Sequence, residues 1–250
     1  ARNRTAPPPL RLALCTNRGY RMGIVAMKLP KLLLAIVMLL LLSSAYATDN
    51  FVKINLPKNV SVEVPKNWVV ISKDQRITLD TMVESGLDLA GIDQEDSEFP
   101  FAANYYKNGK TIGIVNNRYY PDLELTQYDA QQATNQDVKE LDAAFKESIT
   151  ESLSAFGGSI ISWEGTKKTT INGITTFVTE YHRKPLKGAG QFRVRLVRVF
   201  AAKRSFTLTV SYNINEAFFL EKITDRVISS IQITGIEMTS ASSSHQTSSN

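Results

Sequence analysis

Two asparagine–glycine pairs, Asn108-Gly109 and Asn172-Gly173, constrain the fold of this chain more than any other feature. Each pair separates two stretches rich in strand-forming residues. These stretches are Phe101–Lys107 and Thr111–Tyr120 around the first pair, and Ser159–Ile171 and Ile174–His182 around the second. Asn-Gly between two such stretches is the strongest short-range signal for a β-hairpin. Since strands joined by tight hairpins run antiparallel, the sequence predicts an antiparallel sheet.

Further strands are predicted on both sides of these hairpins. Their ranges are 51–56, 60–64, 68–71, 192–202 and 206–212. The first two flank the turn signal Pro57-Lys58-Asn59, and the last two are predicted to turn at Lys203-Arg204.

Three segments carry apolar residues at the spacing of a one-sided helix. They run from Asp74 to Ala90, from Thr134 to Phe156, and from a cap at Asn215 to Ile231. The apolar stripe of the first consists of Leu79, Met82, Val83, Leu87 and Ala90. An antiparallel sheet covered by three such helices is an α+β fold, in which we expect Trp68, Phe145 and Leu220 to be buried.

The segment that starts at Met27 has the three parts of a secretory signal peptide. Lys28 and Lys31 precede an apolar run of 11 residues, 32–42, and the small-residue pattern Ala45-Tyr46-Ala47 follows. Cleavage is expected before Thr48. The alternative, a membrane anchor, is disfavoured because 11 helical residues span only about 16 Å of a hydrocarbon core about 30 Å thick.

The predicted organisation is an upstream leader (1–26), a signal peptide (27–47), one domain (48–238) and a disordered Ser/Thr-rich tail (239–250). Residues 1–26 are interpreted as an over-extended reading frame, with a transit peptide as the alternative. The only cysteine, Cys15, lies in this leader. The domain is therefore predicted to have no disulfide and no cysteine-based metal site.

The basic character of the chain comes from its first 47 residues. Seven of the 29 Lys and Arg residues lie there with no Asp or Glu, so 22 basic and 24 acidic residues remain in 48–250. A nucleic-acid-binding domain needs a basic excess of its own to neutralise phosphates. Nucleic acid is therefore not an expected partner.

The common catalytic motifs are missing from the sequence. The domain holds one histidine, His182, which ends a predicted strand and is interpreted as a surface or rim residue. Nucleophilic catalysis normally needs a base beside the nucleophile, and neither G-x-S-x-G nor S-x-x-K occurs. There is no H-E-x-x-H motif, and Gly188-Ala189-Gly190 lacks the rest of a phosphate-binding loop. We predict no cofactor and no catalytic residue.

An acidic stretch leaves two functions open. Asp80, Glu84 and Asp88 repeat every four residues on the first helix, and Asp93, Glu95, Asp96 and Glu98 follow. Such carboxylates could bind Ca²⁺ or act as a hydrolytic pair. The sequence does not fit the Ca²⁺-loop pattern, and a solvated acidic helix face is the preferred interpretation.

A basic stretch suggests a binding surface. Arg193 and Arg195 alternate along one strand and so point to the same side of the sheet, with Lys184 and Lys187 in the preceding loop. Together these four residues are a candidate patch for an anionic ligand or an acidic partner. The alternative is that the arginines pair with the acidic helix face or with carboxylates on the sheet, or that they protect an exposed sheet edge.

Two segments resemble the PsbP-like family. Residues 54–72, INLPKNVSVEVPKNWVVIS, place a hairpin and a P-x-N-W sequence before the first helix. Residues 192–233, FRVRLVRVFAAKRSFTLTVSYNINEAFFLEKITDRVISSIQI, read as two strands and a helix. The family includes the extrinsic subunit of photosystem II, small nuclear Ran-binding proteins and many exported bacterial proteins. The resemblance implies a PsbP-like α+β sandwich, and family members are mostly binding or assembly factors.

The sequence thus favours an exported, periplasmic or secreted, non-catalytic binding or accessory protein. Its expected partner is a protein or an anionic ligand of the cell envelope, and we expect no membrane span after cleavage. The alternative is a carboxylate-dependent hydrolase that acts on an envelope polymer with acids of the 80–98 region.

Overall fold

The computed structural model describes residues 50–89, 97–120, 125–185, 190–201 and 204–235. Ten strands are present in this part of the chain: β1 Phe51–Leu56, β2 Val60–Pro65, β3 Val69–Val70, β4 Glu98–Lys107, β5 Lys110–Tyr120, β6 Ile160–Ile171, β7 Ile174–Arg183, β8 Phe192–Ala201, β9 Arg204–Asn213 and β10 Gln232–Ile233. The helices there are α1 Lys73–Leu89, α2 Gln127–Gln132, α3 Asn135–Ala155, α4 Ala217–Ser229 and a 3₁₀ turn, Ile214–Glu216. The fold class is α+β, as predicted.

Both asparagine–glycine pairs form the predicted two-residue turns. Asn108 and Gly109 have φ angles of 51° and 71°, and Asn172 and Gly173 have φ angles of 49° and 81°. A type I′ turn needs positive φ at both central residues, which asparagine and glycine tolerate best. The third hairpin differs slightly from the prediction, because Arg204 already pairs with Ala201 as the first residue of β9.

The strands form two antiparallel sheets, where the sequence predicted one. The larger sheet has the order β3-β4-β5-β9-β8-β7-β6, and the smaller has the order β1-β2-β10. In the small sheet β2 is the central strand and pairs with β1 on one side and with β10 on the other. The short strand β3 belongs to the large sheet, where Val69 lies opposite Asn104.

Alternate residues of β8 face two different layers. Val197 and Val199 belong to the core cluster that includes Leu220 of α4 and Val62 of the small sheet. Phe200 points to the other face, where it packs against residues of α2 and α3. The large sheet is therefore covered by α4 and the small sheet on one face and by α2 and α3 on the other. Trp68 and Leu220 are buried, with exposures of 4% and 0%.

The prediction that Phe145 is buried is wrong. This residue of α3 is only half-buried, and α3 has no fully buried side chain. The guanidinium of Arg198 lies 4.0 Å from the centre of the Phe145 ring, between the helix and the sheet. A charged side chain thus lies where a core residue was expected, and the Phe145 ring contacts it through a cation–π interaction.

The predicted apolar stripe of α1 is only partly buried. Leu87 is buried and Val83 half-buried, but Leu79 and Met82 are 43% and 62% exposed. Polar contacts hold the helix instead, since Arg76 donates to the Ile71 carbonyl at 2.6 Å and to the Phe99 carbonyl at 3.2 Å.

The cap before the last helix is Asn213, and not Asn215 as predicted. The side-chain oxygen of Asn213 accepts a hydrogen bond from the Asn215 backbone N–H at 3.0 Å and so begins the 3₁₀ turn. Helix α4 follows directly at Ala217 without a side-chain cap.

Candidate functional site

Arg193 and Arg195 extend from one face of β8 toward α4, where carboxylates of the chain surround them. The Arg193 Nε lies 2.6 Å from Glu180 Oε1 on the neighbouring strand β7. Arg193 Nη1 donates to Tyr212 Oη at 3.1 Å and to a carboxylate oxygen of Glu221. One guanidinium thus joins β7, β8, β9 and α4.

The environment of Arg193 favours its charged form. Burial lowers its pKa, but the hydrogen bonds to Tyr212 and Glu180 raise it by more, so the pKa lies above the ordinary arginine range. Burial also raises the pKa of Tyr212. At neutral pH, Arg193 is therefore a guanidinium cation and Tyr212 a neutral phenol, and neither serves as a general base.

Arg195 is paired in the same way, one turn further along α4. Its Nη1 lies 2.5 Å from Asp225 Oδ1, and its Nη2 donates to Thr224 Oγ1 at 2.6 Å. The Arg195 side chain is 12% exposed, whereas that of Asp225 is 55% exposed. The arginine thus lies beneath its partner, and solvent meets mainly the carboxylate.

The other two residues of the predicted basic patch lie apart from this network. Lys184 is exposed just after β7, with its backbone N–H bonded to the Ser159 carbonyl. Lys187 lies outside the described residues, as do the predicted cleavage residues Ala45, Ala47 and Thr48. The structure therefore brings together the two arginines of the patch, and pairing within the chain occupies both.

Two adjoining cavities surround the C-terminal end of α4. The first has a volume of about 300 Å³ and is lined by Thr170, Ile171, Asn172, Arg195, Asp225, Ile228 and Ser229. The second, of about 310 Å³, is lined by Lys53, Glu63, Asn172, Arg226, Ser229, Ser230 and Gln232. Because both include Asn172 and Ser229, they form one depression, which we call the α4 groove.

Asn172 and Arg226 fix the shape of the α4 groove. The Asn172 side-chain amide donates to the carbonyls of Ser229 and Ile231, both at 2.8 Å, and so ties the β6–β7 turn to the end of α4. Arg226 Nη2 lies 2.9 Å from Glu63 Oε2, and its guanidinium lies 4.1 Å from the centre of the Phe51 ring. The groove therefore carries hydroxyl groups and charges of both signs on a rigid frame.

The acidic stretch of the sequence does not form one cluster in the described part of the chain. Asp80 Oδ1 lies 2.6 Å from Arg118 Nη2, and Glu98 lies 3.7 Å from Lys58. Glu84 and Asp88 are exposed on α1. Asp93, Glu95 and Asp96 are outside the described residues. Among the residues that are described, no three His, Cys, Asp or Glu side chains are close enough together to hold a metal ion.

His182 lies half-buried near the end of β7. In the sheet register it stands between Arg193 of β8 and Ser162 of β6. Its direct neighbours in the register are therefore a cation and a hydroxyl, and this arrangement provides no carboxylate partner to orient it as a general base.

An exposed aromatic surface at the start of α4 was not predicted from the sequence. Phe218 is 95% exposed and Phe219 49% exposed. The Phe219 ring centre lies 6.2 Å from that of Tyr105, which in turn lies 6.0 Å from that of the buried Trp68. We call Tyr105, Phe218 and Phe219 the aromatic end. Its only sequence signal is the adjacent Phe-Phe pair, because neighbouring helix positions cannot both face the core.

No described helix is both long enough and apolar enough to span a bilayer.

No family model matches the chain, and the search of curated proteins found no match either. Solved structures are similar to it in fold. The solution structure of cyanobacterial PsbP (CyanoP) from Synechocystis sp. PCC 6803 has 10% sequence identity and a TM-score of 0.45, over 74% of this chain and 92% of that chain. The crystal structure of LpqN, a protein involved in cell envelope biogenesis of Mycobacterium tuberculosis, has 11% identity and a TM-score of 0.40, over 74% and 91%.

A crystal structure from Bacteroides thetaiotaomicron VPI-5482 is also similar, with 11% identity and a TM-score of 0.38. The match covers 73% of this chain and 48% of that chain, so the chain spans about half of that protein. These similarities concern the fold alone and identify no ligand or activity. Residues 54–72 and 192–233 predicted a PsbP-like fold, and a cyanobacterial PsbP is among the solved structures that are similar to this chain in fold.

Proposed function

We propose that this chain is a non-catalytic binding or accessory protein of the cell envelope, periplasmic or secreted after cleavage before Thr48. We further propose that the α4 groove holds an extended segment of a protein partner. The observation that carries the proposal is the pairing in the groove, where Asp225 and Glu63 each contact an arginine.

This pairing suits binding better than hydrolysis. Hydrolysis by a carboxyl pair requires two acids that face one substrate bond in different protonation states. In the groove, Arg195 separates Asp225 from the sheet and Arg226 holds Glu63. Fixed charge pairs of this kind orient a partner and select against wrong ones.

The lining of the groove favours a peptide as the ligand. Ile171 and Ile228 provide apolar contact, and Thr170, Ser229 and Gln232 provide hydrogen-bonding groups. An extended peptide presents alternating amide groups and side chains, and it can match both the hydroxyl groups and the two signs of charge. An anionic ligand is less well matched, because the arginines are the more buried members of their pairs.

A photo-crosslinking experiment in cells tests this proposal. A benzophenone amino acid replaces Ser229 in the groove or, as the control, Thr150, which is exposed on α3. We expect an adduct with one envelope protein from position 229 only, and we expect the replacement Asp225→Lys to abolish it. Equal adducts from both positions, or none, would contradict the proposal.

A second measurement addresses the hydrolase alternative. The purified chain from Thr48 onward is incubated with isolated envelope polymers, and soluble fragments are measured. We expect no release above a heat-treated control. Release that disappears in the Asp80→Asn or Glu98→Gln variant would favour the hydrolase.

A further inference from the structure

We propose that the aromatic end is a membrane-contact surface, which inserts Phe218 and Phe219 into the interface of a bilayer that contains anionic lipid. The first observation is the exposure of Phe218, at 95%, on a residue of an ordered helix. Contiguous exposed apolar patches mark contacts with a partner or a membrane, and Phe218 adjoins the half-exposed Phe219.

The rigidity of this surface suits insertion. Tyr105 lies between the Phe219 ring and the buried Trp68, so a chain of ring contacts connects the exposed aromatic residues to the core. Leu220, the next residue of α4, is fully buried and fixes the start of the helix. The two phenylalanines are therefore presented without the entropy cost of ordering a loop.

The charges around the aromatic end complement an anionic lipid surface. Lys222 follows Phe218 by one helical turn, and Lys107 pairs with Glu216 at 2.7 Å. Lys110 lies opposite Lys107 in the β4–β5 hairpin. Among the described residues, neither Lys110 nor Lys222 has a carboxylate within ion-pair distance, and both side chains are exposed. Each basic residue near an anionic surface strengthens binding several-fold.

This placement also fits the position of the α4 groove. Phe218 and Ser229 are 11 residues apart on one helix, which corresponds to about 16 Å. With the start of α4 in the interface, the groove at its other end stays in water and open to a protein. The membrane contact does not depend on the proposed function of the groove.

Vesicle sedimentation tests the proposal. The chain from Thr48 onward contains every described helix and strand, which all lie between Phe51 and Ile233. It is mixed with sucrose-loaded vesicles of phosphatidylcholine alone or with phosphatidylglycerol. The variants are Phe218→Ser, Lys110→Ser and, as the matched control, Met82→Ser, an exposed apolar residue of α1.

We expect the parent chain to sediment with the phosphatidylglycerol vesicles and to be released as salt rises. The partition coefficient should fall about tenfold in Phe218→Ser, which corresponds to ~1.4 kcal/mol, and should not change in Met82→Ser. Lys110→Ser should weaken binding about fivefold to the anionic vesicles only. A parent chain that stays in the supernatant would overturn the proposal and favour a protein partner for the aromatic end. Equal binding of parent and Phe218→Ser would overturn it as well.

Discussion

The side-chain amide of Gln127 pairs with the backbone of Thr175 in both directions, as a neighbouring strand would. Gln127 Nε2 donates to the Thr175 carbonyl at 3.0 Å, and the Thr175 N–H donates to Gln127 Oε1 at 2.9 Å. Gln127 Nε2 also donates to the Phe200 carbonyl at 2.8 Å. Because the β7–β8 pairing ends at Phe177 and Arg198, one buried side chain joins the two strands beyond that point.

Removal of this amide should destabilise the fold strongly. Gln127→Ala leaves three buried backbone groups without partners, each of which costs roughly 1–3 kcal/mol. We expect the free energy of unfolding to fall by about 3 kcal/mol in urea titration. Gln131→Ala, an exposed position of the same helix, is the control and should change it by less than about 0.5 kcal/mol. Equal effects of the two changes would mean that Gln127 is not a structural bridge.

Local chemistry explains which parts of the fold could be predicted. The turns at Asn108-Gly109 and Asn172-Gly173 depend on two residues each, and both predictions are confirmed. The burial of Phe145 depends on a distant residue, because Arg198 lies between α3 and the sheet. The second sheet likewise depends on β10, which joins β2 from the far end of the domain.

In the candidate site, too, local sequence predicts some features and contacts with distant residues determine others. Strand alternation was sufficient to group Arg193 with Arg195, and the sequence left open whether they bind an external anion or pair internally. In the structure both arginines have internal carboxylate partners, because helix α4 places Glu221 and Asp225 over β8 from about 30 positions further along the chain. The spacing of residues along the sequence does not indicate where α4 packs on the sheet. The exposure of Phe218 and Phe219 at the aromatic end also results from this packing of α4.

The network around Arg193 should contribute to stability. Arg193→Leu leaves Glu180 and Glu221 close together without their shared cation. Loss of one member of a fully buried pair costs about 3–5 kcal/mol, and the partial exposure of these side chains reduces this to about 2 kcal/mol. Urea titration should detect the loss, whereas Lys139→Leu on the exposed surface of α3 should be close to neutral. A neutral Arg193→Leu would show that the network contributes nothing.

Asn117 should be replaceable with a gain in stability. Its side chain is fully buried beside Phe101 and Leu208, and neither amide atom has a hydrogen-bond partner among the described residues. Leucine has a similar shape without the cost of burying an unpaired amide. We expect Asn117→Leu to raise the free energy of unfolding by about 1 kcal/mol. The control is Asn116→Leu, which changes the half-exposed neighbour on the other face of the sheet. A fall in the free energy of unfolding of Asn117→Leu would contradict the conclusion that the buried amide destabilises the fold.

The capping box of α2 should make stability depend on pH. Hydrogen bonds from the Thr126 hydroxyl and backbone N–H lower the pKa of Asp129 below its ordinary value. A carboxylate whose pKa is lower in the folded than in the unfolded state stabilises the fold fully at pH values above its unfolded pKa, about 3.9. This stabilisation is lost as the pH falls through the folded-state pKa. Asp129→Asn should therefore be less stable than the parent at pH 7, and the difference should shrink toward about pH 3. A difference in stability between parent and variant that does not change with pH would contradict a role for the Asp129 charge. The control is Asp88→Asn, at an exposed position of α1.

Export can be tested at the residues that define cleavage. Signal peptidase requires small residues at the first and third positions before the cut, which are Ala47 and Ala45, whereas the position between them, Tyr46, is free to vary. When the protein is expressed from Met27 in a bacterium, we expect the periplasmic fraction to contain a chain whose N-terminal sequence begins at Thr48. Ala47→Asp should leave an uncleaved precursor of higher mass, and Tyr46→Ser should be processed like the parent. Recovery of the intact parent chain in the cytoplasm would contradict the prediction. Cleavage at the same place in Ala47→Asp would show that another site is used.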